Sequence, residues 1–526
     1  MPNPAPIPPE AALFSLSDKR GAIEVARALA GRGVVIYATG GTRTHLADAG
    51  IASRDVEDLT GFPALFDGRV KTLHPKIFGG ILADRAIAKH QSEADTYHIP
   101  FIATVVVNLY PFEDTIARGG TTLAEAIEQI DIGGVSLLRA AAKNFAHVTL
   151  LSDPAQYPAF LAALPQGLDL AARRRLAVSA FERTAEYDAT IAHYLAGEGD
   201  VLPSELPGAL TLTLPLAQQL RYGENPWSRA AFYLGRTERL PEQLWGKALS
   251  YNNLLDLDAT LRLLARAPIG AEIQSRADEF VRAAIVKHTV PCGAAQRSTV
   301  AKAARDALAA DPVSAFGGII AVDQKLDLEA AQALSEFFLE IVAAPDFDAD
   351  ALALLKKKKN LRVMRYARTA PEALRSELRV RSALGGILAE EDDPHGAPEA
   401  WRVVSEKQPT SQEWHDLAFA WDIVRHVKSN GVVMARNGVS RGICAGQTNR
   451  VSAVRIAGVR AGEFAKGSAC ASDGFFPFAD GLEEAATAGC SAVIAPEGSV
   501  RDREVIDAAN RLGIALVFST HRYFLH

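Results

Sequence analysis

Two short segments of the chain place a lysine close to a histidine at the point where an apolar, strand-like run ends. Residues 69–75 read RVKTLHP, and residues 286–293 read VKHTVPCG. A histidine can gain or lose a proton near neutral pH, and a lysine supplies positive charge. Because α/β proteins place their chemistry just beyond the ends of strands, two such segments predict two active sites in one bifunctional enzyme.

The length and charge of the chain limit what else it can be. At 526 residues it is longer than one hydrophobic core supports, so about two to four domains are expected. The net charge of −6 argues against a general nucleic-acid or membrane-surface binder. No apolar run is long enough to span a membrane. We therefore expect no nucleic-acid partner and no membrane partner.

The cysteines indicate a reducing environment. None of the four forms a C-x-x-C pair: Cys292, Cys444, Cys470 and Cys490. This spacing favours neither a zinc site nor a disulfide framework. The proline-rich residues 1–10 lack the basic and apolar pattern of a signal peptide, and we expect them to form a disordered leader. A cytoplasmic protein is the resulting expectation.

The first part of the chain alternates between strand and helix patterns, which is typical of a parallel-sheet domain. Strands are expected at residues 34–38, 103–108 and 148–151, a turn at 39–42, and helices at 43–49, 134–144 and 171–195. The segment 197–208 is rich in glycine and proline and reads as a linker. The first domain should therefore end near residue 203.

The second part of the chain alternates in the same way. Strands are expected at residues 283–286, 318–322, 432–435, 492–494 and 514–518. A polar stretch at 390–412 is expected to divide this part in two. Lys287 and Lys428 each stand beside polar residues near a strand, which suggests a tandem duplication as a hypothesis.

Three polar segments of the first domain could bind a phosphate and a sugar. A strand followed by Gly-Gly-Thr and a helix offers free backbone N–H groups to an anion, although such turns are more often simple connections. The candidate residues are Thr39, Gly40, Gly41 and Thr42 in this turn, Ser15, Ser17 and Lys19 in a second loop, and Arg69, Lys71 and Thr72 in a third. Together they are similar to a phosphosugar pocket.

A further group in the first domain could transfer protons. It consists of Asn108, Tyr110, Asp131 and Lys143. The plain alternative is that Asp131 caps a helix and that Lys143 favours the dipole at its far end. Only the coincidence of this group with the phosphate loops favours a catalytic role over the structural one.

The motifs of the first domain are SLSDK at residues 15–19, TGGT at 39–42, GRVKTLHP at 68–75, NLYPF at 108–112 and IDIGGVSLLRAAAKN at 130–144. Together they resemble the inosine monophosphate (IMP) cyclohydrolase domain of the bifunctional purine biosynthesis family. The remaining motifs are LRYGENP at 220–226, SYNN at 250–253, KH at 287–288, DPVSAFGG at 311–318, KSN at 428–430, AGQ at 445–447 and SDGFFPF at 472–478. They resemble the aminoimidazole carboxamide ribonucleotide (AICAR) formyltransferase domain of the same family.

This resemblance implies a fold and an activity. The fold is a methylglyoxal-synthase-like α/β domain over residues 1–203, followed by two cytidine-deaminase-like subdomains without zinc over residues 204–526. The enzyme would transfer a formyl group from 10-formyltetrahydrofolate to AICAR and then close formyl-AICAR to IMP with loss of water. No metal would be required. The family is a homodimer with the transferase site at the interface.

The formyl transfer demands a base, because the lone pair of the AICAR amine is delocalised and makes it a poor nucleophile. His288 is the candidate base, and Lys287 and Asn430 are candidates for stabilising the formyl oxygen. By resemblance, Arg221 and Tyr222 hold the nucleotide. Further contacts implied by the resemblance are Asn253, Gly317, Glu340, Arg450, Phe475, Asp480 and Arg522.

The ring closure demands proton transfer and stabilisation of the departing oxygen. Asp131 and Lys143 are candidates for the first task, and Lys71 and Tyr110 for the second, with interchangeable roles. Asn108 could orient the carboxamide, and Ile132 is a substrate contact implied by the resemblance.

The sequence also departs from the family pattern. Glu340 stands where other members can carry Asp, and the usual Asn-Pro-His-Gln is here Asn225, Pro226, Trp227 and Ser228. One alternative is therefore that formyl transfer is impaired and only the cyclohydrolase remains. A second alternative is a purine-nucleotide sensor without turnover, which the proton-transfer residues speak against.

Overall fold

The computed structural model describes residues 11–118, 120–197, 209–234, 241–265, 280–374, 378–391 and 400–526. These residues form two compact units, the first reaching Pro215 and the second beginning at Leu216. The expected leader at residues 1–10 lies outside the described residues. So do residues 198–208 of the expected linker, including the domain boundary near residue 203.

The first unit is built on a five-stranded sheet of order β3-β2-β1-β4-β5, in which all neighbours are parallel. The strands are β1 (Ala11–Ser15), β2 (Val35–Ala38), β3 (Arg54–Asp55), β4 (Ile102–Val107) and β5 (Thr149–Leu151). Every side chain of β4 is buried, as expected for a parallel strand covered on both faces. Parallel order brings the carboxyl ends of β2, β1 and β4 side by side.

Ten helices are described in the first unit. They are α1 (Ala22–Ala30), α2 (Gly40–Asp48), α3 (Val56–Thr60), α4 (Pro75–Leu82), α5 (Ala88–Thr96), α6 (Phe112–Ile116), α7 (Leu123–Glu128), α8 (Ile132–Lys143), α9 (Tyr157–Ala163) and α10 (Leu170–Ala196). One local prediction is wrong: the segment 39–42 is not a separate turn. Thr39 is the extended N-cap residue, and α2 begins directly at Gly40.

The second unit is built on a sheet of twelve strands in the order β16-β21-β20-β19-β17-β18-β10-β9-β11-β12-β13-β8. The strands are β8 (Glu242–Trp245), β9 (Val281–Lys287), β10 (Val290–Arg297), β11 (Ile319–Val322), β12 (Ile341–Ala344), β13 (Arg362–Arg365), β16 (Trp401–Val403), β17 (Val432–Arg436), β18 (Val439–Cys444), β19 (Ala469–Ser472), β20 (Ala492–Pro496) and β21 (Ala515–Ser519). Two small hairpins complete the unit: β6 (Leu216–Gln219) with β7 (Ala231–Tyr233), and β14 (Leu378–Ala383) with β15 (Gly386–Glu391).

Helices cover this large sheet. They are α11 (Tyr251–Leu264), α12 (Val300–Ala310), α13 (Pro312–Ala315), α14 (Leu328–Ser335), α15 (Ala349–Leu355), α16 (Ala370–Ala373), α17 (Ser411–Val424), α18 (Arg450–Ala461), α19 (Asp480–Ala488) and α20 (Asp502–Leu512). None of the described helices is long and apolar enough to cross a membrane.

The elements of the second unit repeat. A helix (α11 or α17) precedes an antiparallel hairpin (β9–β10 or β17–β18), which is followed by a helix and then by three parallel strands. The sheet order is symmetric about the junction of β10 and β18, which are antiparallel to each other. This repeat agrees with the hypothesis of a tandem duplication. The cytidine-deaminase likeness and the division near 390–412, of which residues 392–399 lie outside the described part, stay predictions.

Two glycines let the helices pack closely at this junction. A Cβ atom on Gly293 of β10 would collide with the carbonyl oxygen of Ala307 in α12, and one on Gly442 of β18 would collide with that of Ala457 in α18. The two close approaches occupy corresponding places in the two halves. Only a residue without a side chain permits them.

The first unit should fold by itself, because it has its own sheet and its own buried core. We expect a fragment of residues 1–215 to unfold in a single cooperative thermal transition, followed by circular dichroism. The full chain, heated in parallel, serves as the control. A fragment that shows helical signal but no cooperative transition would contradict the independence of this unit.

Candidate active sites

In the first unit, the carboxyl ends of three neighbouring strands bring the predicted phosphate residues together. Thr39 Oγ1 donates to Ser15 Oγ at 3.3 Å, and the Thr42 hydroxyl accepts from the Leu16 N–H at 2.9 Å. Gly40 and Gly41 form the first turn of α2, with no atom within 4 Å of where their Cβ atoms would lie. The open N-terminal end of α2 therefore lies beside the loop that follows β1, as an anion site requires.

The side chain of Asn108 organises that loop. Its Oδ1 accepts the backbone N–H groups of Ser17 at 2.8 Å and Asp18 at 3.0 Å, and its Nδ2 donates to the Asp18 carbonyl at 2.7 Å. Lys19 Nζ donates to the Ser17 carbonyl at 3.4 Å. Asn108 therefore holds this loop in place, and its predicted role in orienting a carboxamide stays a prediction.

A second cluster in the first unit surrounds the start of α8. Asp131 is the N-cap of this helix, and its Oδ1 accepts the Gly134 N–H at 2.6 Å. Burial raises the pKa of the Asp131 carboxyl above its ordinary value, although backbone N–H groups and Lys71 oppose the shift. Burial, and then the charge of Asp131, raise the pKa of Tyr110. The Asp131 carboxylate therefore interacts electrostatically with both Lys71 and Tyr110.

The structure places four other predicted residues of the first unit at different distances from this cluster. Arg69 forms an exposed ion pair with Glu128, and Ile132 is the exposed first residue of α8. Thr72 is buried, with its hydroxyl beside Gly133. Lys143 is exposed at the opposite end of α8, about 18 Å along the axis from Asp131 at the usual rise per residue. Within one chain, the structure does not bring Lys143 to Asp131.

In the second unit, the strand directions collect the predicted transferase residues at one edge of the large sheet. This edge carries the carboxyl end of β9 and the amino ends of β11 and β12 from the first half. From the second half it carries the amino end of β17 and the carboxyl ends of β18 and β19. The residues at these ends are Lys287, His288, Gly317, Glu340 and Asn430, together with Arg450 at the start of α18 and Phe475 in the loop that follows β19.

Lys287 and His288 lie at the tip of the β9–β10 hairpin. Lys287 pairs with Val290, so His288 and Thr289 form a two-residue turn, with φ of 56° and 59°. Lys287 Nζ donates to the Phe316 carbonyl at 2.7 Å, next to Gly317, whose φ is 76°. The His288 side chain is exposed, and no hydrogen bond to its imidazole is found among the described residues.

A cavity of about 340 Å³ opens beside this hairpin. The first half lines it with Lys287, His288, Cys292, Asp311 and Ser314, and the second half with Arg441 and Arg460, among others. Burial, and then the charge of Asp311, raise the pKa of the Cys292 thiol to about 12. The thiol is therefore neutral at physiological pH, while the two guanidinium groups give the cavity positive charge.

Other side chains of the first half that are predicted to contact substrate already bond neighbouring groups of the protein. Arg221 stacks over the ring of Tyr222 and donates to its hydroxyl at 2.7 Å. The buried Asn253 completes a capping box with Ser250 at the start of α11. Glu340 accepts from Arg362 at 2.7 Å. These bonds fix the side chains of Asn253 and Glu340.

In the second half, a buried network lies behind the edge. Arg450 is paired with the fully buried Asp473, and Ser429 Oγ donates to Asp473 Oδ2 at 2.5 Å. Asn430 Nδ2 donates to the Gln447 carbonyl at 2.7 Å. Asp480 is the exposed first residue of α19, Phe475 is half-buried, and Arg522 stacks on Phe524.

The departure at residues 225–228 has a local explanation. The Ser228 carbonyl accepts the Gly223 N–H at 2.7 Å, and the Ser228 N–H donates to the Asn225 carbonyl at 3.0 Å. Trp227 lies in this tight turn with 82% of its surface exposed. The turn is thus closed by backbone bonds that do not need the side chains of residues 227 and 228.

The sequence interpretation missed two acidic residues. Asp256, on α11, bonds the backbone of the His288 turn, and Asp473 anchors Arg450 and Ser429. Asp473 stands in the SDGFFPF motif, which could have drawn attention to it. Nothing in the local sequence marks Asp256, because its partner lies 32 residues away in the hairpin.

Comparison with known proteins finds two matching family models and many similar relatives. A family model described as AICARFT/IMPCHase bienzyme matches residues 141–460, and one described as MGS-like domain matches residues 21–136. Among relatives called bifunctional purine biosynthesis protein PurH, that of Desulfitobacterium hafniense (strain DSM 10664 / DCB-2) is 48% identical, covering 98% of this chain and 99% of its own length. That of Chloroflexus aurantiacus is 49% identical, covering 98% of each chain.

A relative with the same name from Caulobacter vibrioides is 45% identical, covering 99% of this chain and 98% of its own length. Among solved structures, one described as ForH is 38% identical over 36% of this chain and 98% of its own length. Its TM-score of 0.32 is too low for a comparison of folds.

The neutral state of Cys292 can be measured. With a pKa of about 12, its thiolate fraction at pH 8 is roughly a thousandfold below that of an ordinary cysteine. We expect iodoacetamide at pH 8 to modify Cys292 in the folded protein far more slowly than in the urea-unfolded chain, measured by peptide mass spectrometry. A Cys292→Ser variant identifies the peptide. Rapid modification in the folded state would contradict the raised pKa.

Proposed function

The chain belongs to the AICARFT/IMPCHase bienzyme family, and we propose that its first unit carries the IMP cyclohydrolase site and its second unit the AICAR formyltransferase site. The protein is a bifunctional enzyme of the last two steps of purine biosynthesis. It transfers a formyl group from 10-formyltetrahydrofolate, its folate co-substrate, to AICAR, and closes formyl-AICAR to IMP. The observation that carries the assignment of the transferase site is the Lys287–His288 hairpin beside a positively charged cavity.

In our proposal, His288 accepts the proton of the AICAR amine as the amine attacks the formyl carbon. The exposed position of its imidazole at a hairpin tip supports this role, since substrate can reach it. Lys287 is held by the Phe316 carbonyl and retains two further N–H donors for the oxygen on which charge develops. Asn430 lies at the same edge of the sheet and contributes a second polar group.

For the ring closure, we assign the proton transfers to Asp131. A buried carboxyl with a raised pKa keeps its proton to a higher pH than an exposed one, which suits a group that must both give and take a proton. Tyr110 and Lys71 are assigned to the oxygen that leaves as water. The start of α2 and the loop held by Asn108 are assigned to the phosphate of the nucleotide.

The proposal also covers the oligomeric state, the metal requirement and the cellular location. The exposed Val313 (84%), Phe316 (60%) and Phe338 (47%), close to the Lys287 edge, support a homodimer that covers this edge. No group of three or more His, Cys, Asp or Glu side chains able to hold a metal is found among the described residues. A metal-free reaction and a cytoplasmic location, with the four cysteines free, complete the proposal.

The alternatives are not favoured. A chain with only cyclohydrolase activity was expected if residues 227 and 228 disturbed the transferase site, but Trp227 points into solvent from a turn closed by its backbone. A nucleotide sensor does not account for a relationship to bifunctional enzymes over nearly the whole chain.

Asp131→Asn separates catalysis from helix capping. Asparagine caps a helix about as well as aspartate, so the change should alter stability by less than about 1 kcal/mol. It removes the proton-transfer group, and cyclisation of supplied formyl-AICAR should fall roughly 100- to 10,000-fold. The variant should also lose a pH dependence: the raised pKa means that ionisation of Asp131 destabilises the folded protein as pH rises, and asparagine does not ionise.

The measurements are the rate of IMP formation and the melting temperature between pH 4 and 8. Lys143→Ala belongs in the same assay, because Lys143 remains a proposed catalytic residue that does not reach Asp131 within one chain. If the Asp131→Asn variant formed IMP at a near wild-type rate, Asp131 would be a helix cap and not a proton-transfer group.

His288→Ala tests the transferase site. Loss of a general base lowers a rate typically by about 100- to 10,000-fold, so formyl transfer to AICAR should fall by that order. Cyclisation of supplied formyl-AICAR should continue at the normal rate, because its residues belong to the other unit. The two activities are followed separately by folate absorbance and by IMP formation. Formyl transfer at a near wild-type rate would exclude His288 as the base.

A further inference from the structure

The turn that carries His288 has an unusual backbone. His288 and Thr289 both have positive φ, at 56° and 59°. This left-handed region is costly for residues other than glycine, and especially so for a β-branched residue such as threonine. A two-residue hairpin of this kind ordinarily has Asn-Gly or Gly-Gly at these places. Something outside the turn must therefore stabilise it.

The carboxylate of Asp256 is the group that does so. Its Oδ2 accepts the His288 N–H at 3.2 Å, and its Oδ1 accepts the Thr289 N–H at 2.6 Å. Hydrogen bonds to a charged acceptor are stronger than those between neutral groups. The two bonds fix adjacent peptide units in the conformation that Thr289 resists.

The second half of the unit has the same arrangement of a carboxylate bonded to two N–H groups of a hairpin turn, but its turn residues adopt positive φ readily. Asp416 accepts the N–H groups of Asn437 at 2.9 Å and Gly438 at 2.7 Å, in the β17–β18 turn. Asp256 is the sixth residue of α11 and Asp416 the sixth residue of α17, so the two carboxylates occupy corresponding places. Asn437 and Gly438 have φ of 54° and 66°, which their residue types adopt readily.

We propose that Asp256 is a positioning residue of the formyl-transfer site: by binding both N–H groups of the His288–Thr289 turn, it fixes the direction in which the His288 imidazole and the Lys287 ammonium point. The proposal rests on the function proposed above. It accounts for how His288 and Thr289 can hold the positive φ angles that Asn437 and Gly438 adopt readily in the other half. Since no hydrogen bond to the imidazole is found among the described residues, the backbone of the turn determines its place.

Asp256→Asn tests this role. Asparagine offers one acceptor oxygen, and its NH2 group would face one of the two N–H donors, so one bond is replaced by two opposed donors. We expect kcat for formyl transfer to fall about 10- to 100-fold, with little change in the KM for AICAR, whose proposed nucleotide contacts lie elsewhere. The pH dependence of kcat should keep its shape. If one side of the pH profile of kcat shifted or disappeared, Asp256 would itself take the proton of the AICAR amine. That result would overturn a positioning role.

Asp416→Asn is the matched control. It disrupts the same pair of bonds in the other half, at a turn that carries no candidate catalytic residue. We expect it to lower the melting temperature but to leave formyl transfer per folded molecule within about threefold of wild type. An equal loss of formyl transfer in both variants would show a general effect on the fold and would overturn the proposal.

Thr289→Gly provides a rescue. Glycine adopts positive φ without steric cost, so the turn would need less help from Asp256. The double variant Asp256→Asn/Thr289→Gly should recover most of the formyl transfer lost in Asp256→Asn. If Asp256→Asn fails to fold, the double variant should fold and transfer the formyl group. A folded but inactive double variant would overturn the proposal.

His288→Ala separates this proposal from the function on which it rests. Loss of formyl transfer in His288→Ala together with a normal rate in Asp256→Asn would overturn only the role of Asp256. A normal rate in His288→Ala would overturn the proposed function of the hairpin itself.

Discussion

The antiparallel contact between β10 and β18 is the constraint on which the proposed transferase site depends. Because these strands run in opposite directions, the start of each lies beside the end of the other, and the two halves contribute opposite strand ends to the same edge. Lys287 and Asn430 are therefore brought to one edge although 143 positions separate them, as their numbers give directly. If the strands were parallel, the hairpin tip and Asn430 would lie at opposite edges. Gly293 and Gly442 permit this arrangement, since α12 and α18 must approach the two strands closely.

A buried ion pair joins the two halves on the other face of the sheet. Arg282 of β9 donates to Asp422 of α17 at 2.9 Å, and both side chains are almost fully buried. Asp422 Oδ1 also lies 3.8 Å from Arg425 Nη1. Removing the Asp422 carboxylate should cost about 3–5 kcal/mol, because the buried Arg282 guanidinium loses its charged acceptor in an apolar interior. The pair connects α17 of the second half to the strand that ends at Lys287, so it couples the packing of one half to the hairpin of the other.

The sequence predicts the strands of both units well, because buried parallel strands are short runs of apolar residues between turn residues. It is wrong about residues 39–42, since a glycine pair is typical both of a turn and of an open helix start. The sequence predicts which polar residues gather at the strand ends, but it does not predict the hydrogen-bond partners of their side chains. Asn108 and Asn253 are committed to backbone and capping bonds, which depend on loops distant in sequence. Asp256 escapes prediction for the same reason.

The repeat allows the proposed catalytic hairpin to be compared with its counterpart in the other half. The approximate symmetry creates two equivalent edges, each with a hairpin tip held by a carboxylate. At the second edge the corresponding tip is Asn437 and Gly438, and Arg297 donates to the Asn437 carbonyl at 2.7 Å while pairing with Asp306. The turn at that edge contains neither a histidine nor a lysine, and Arg297 beside it is already bonded. The strained turn with His288 and Thr289 is therefore a departure from the relaxed form of the same hairpin, and the departure occurs at the edge where Asn430 also lies. Strain that persists only where the surrounding structure enforces it is expected at a functional site, and here the enforcing group is a single carboxylate.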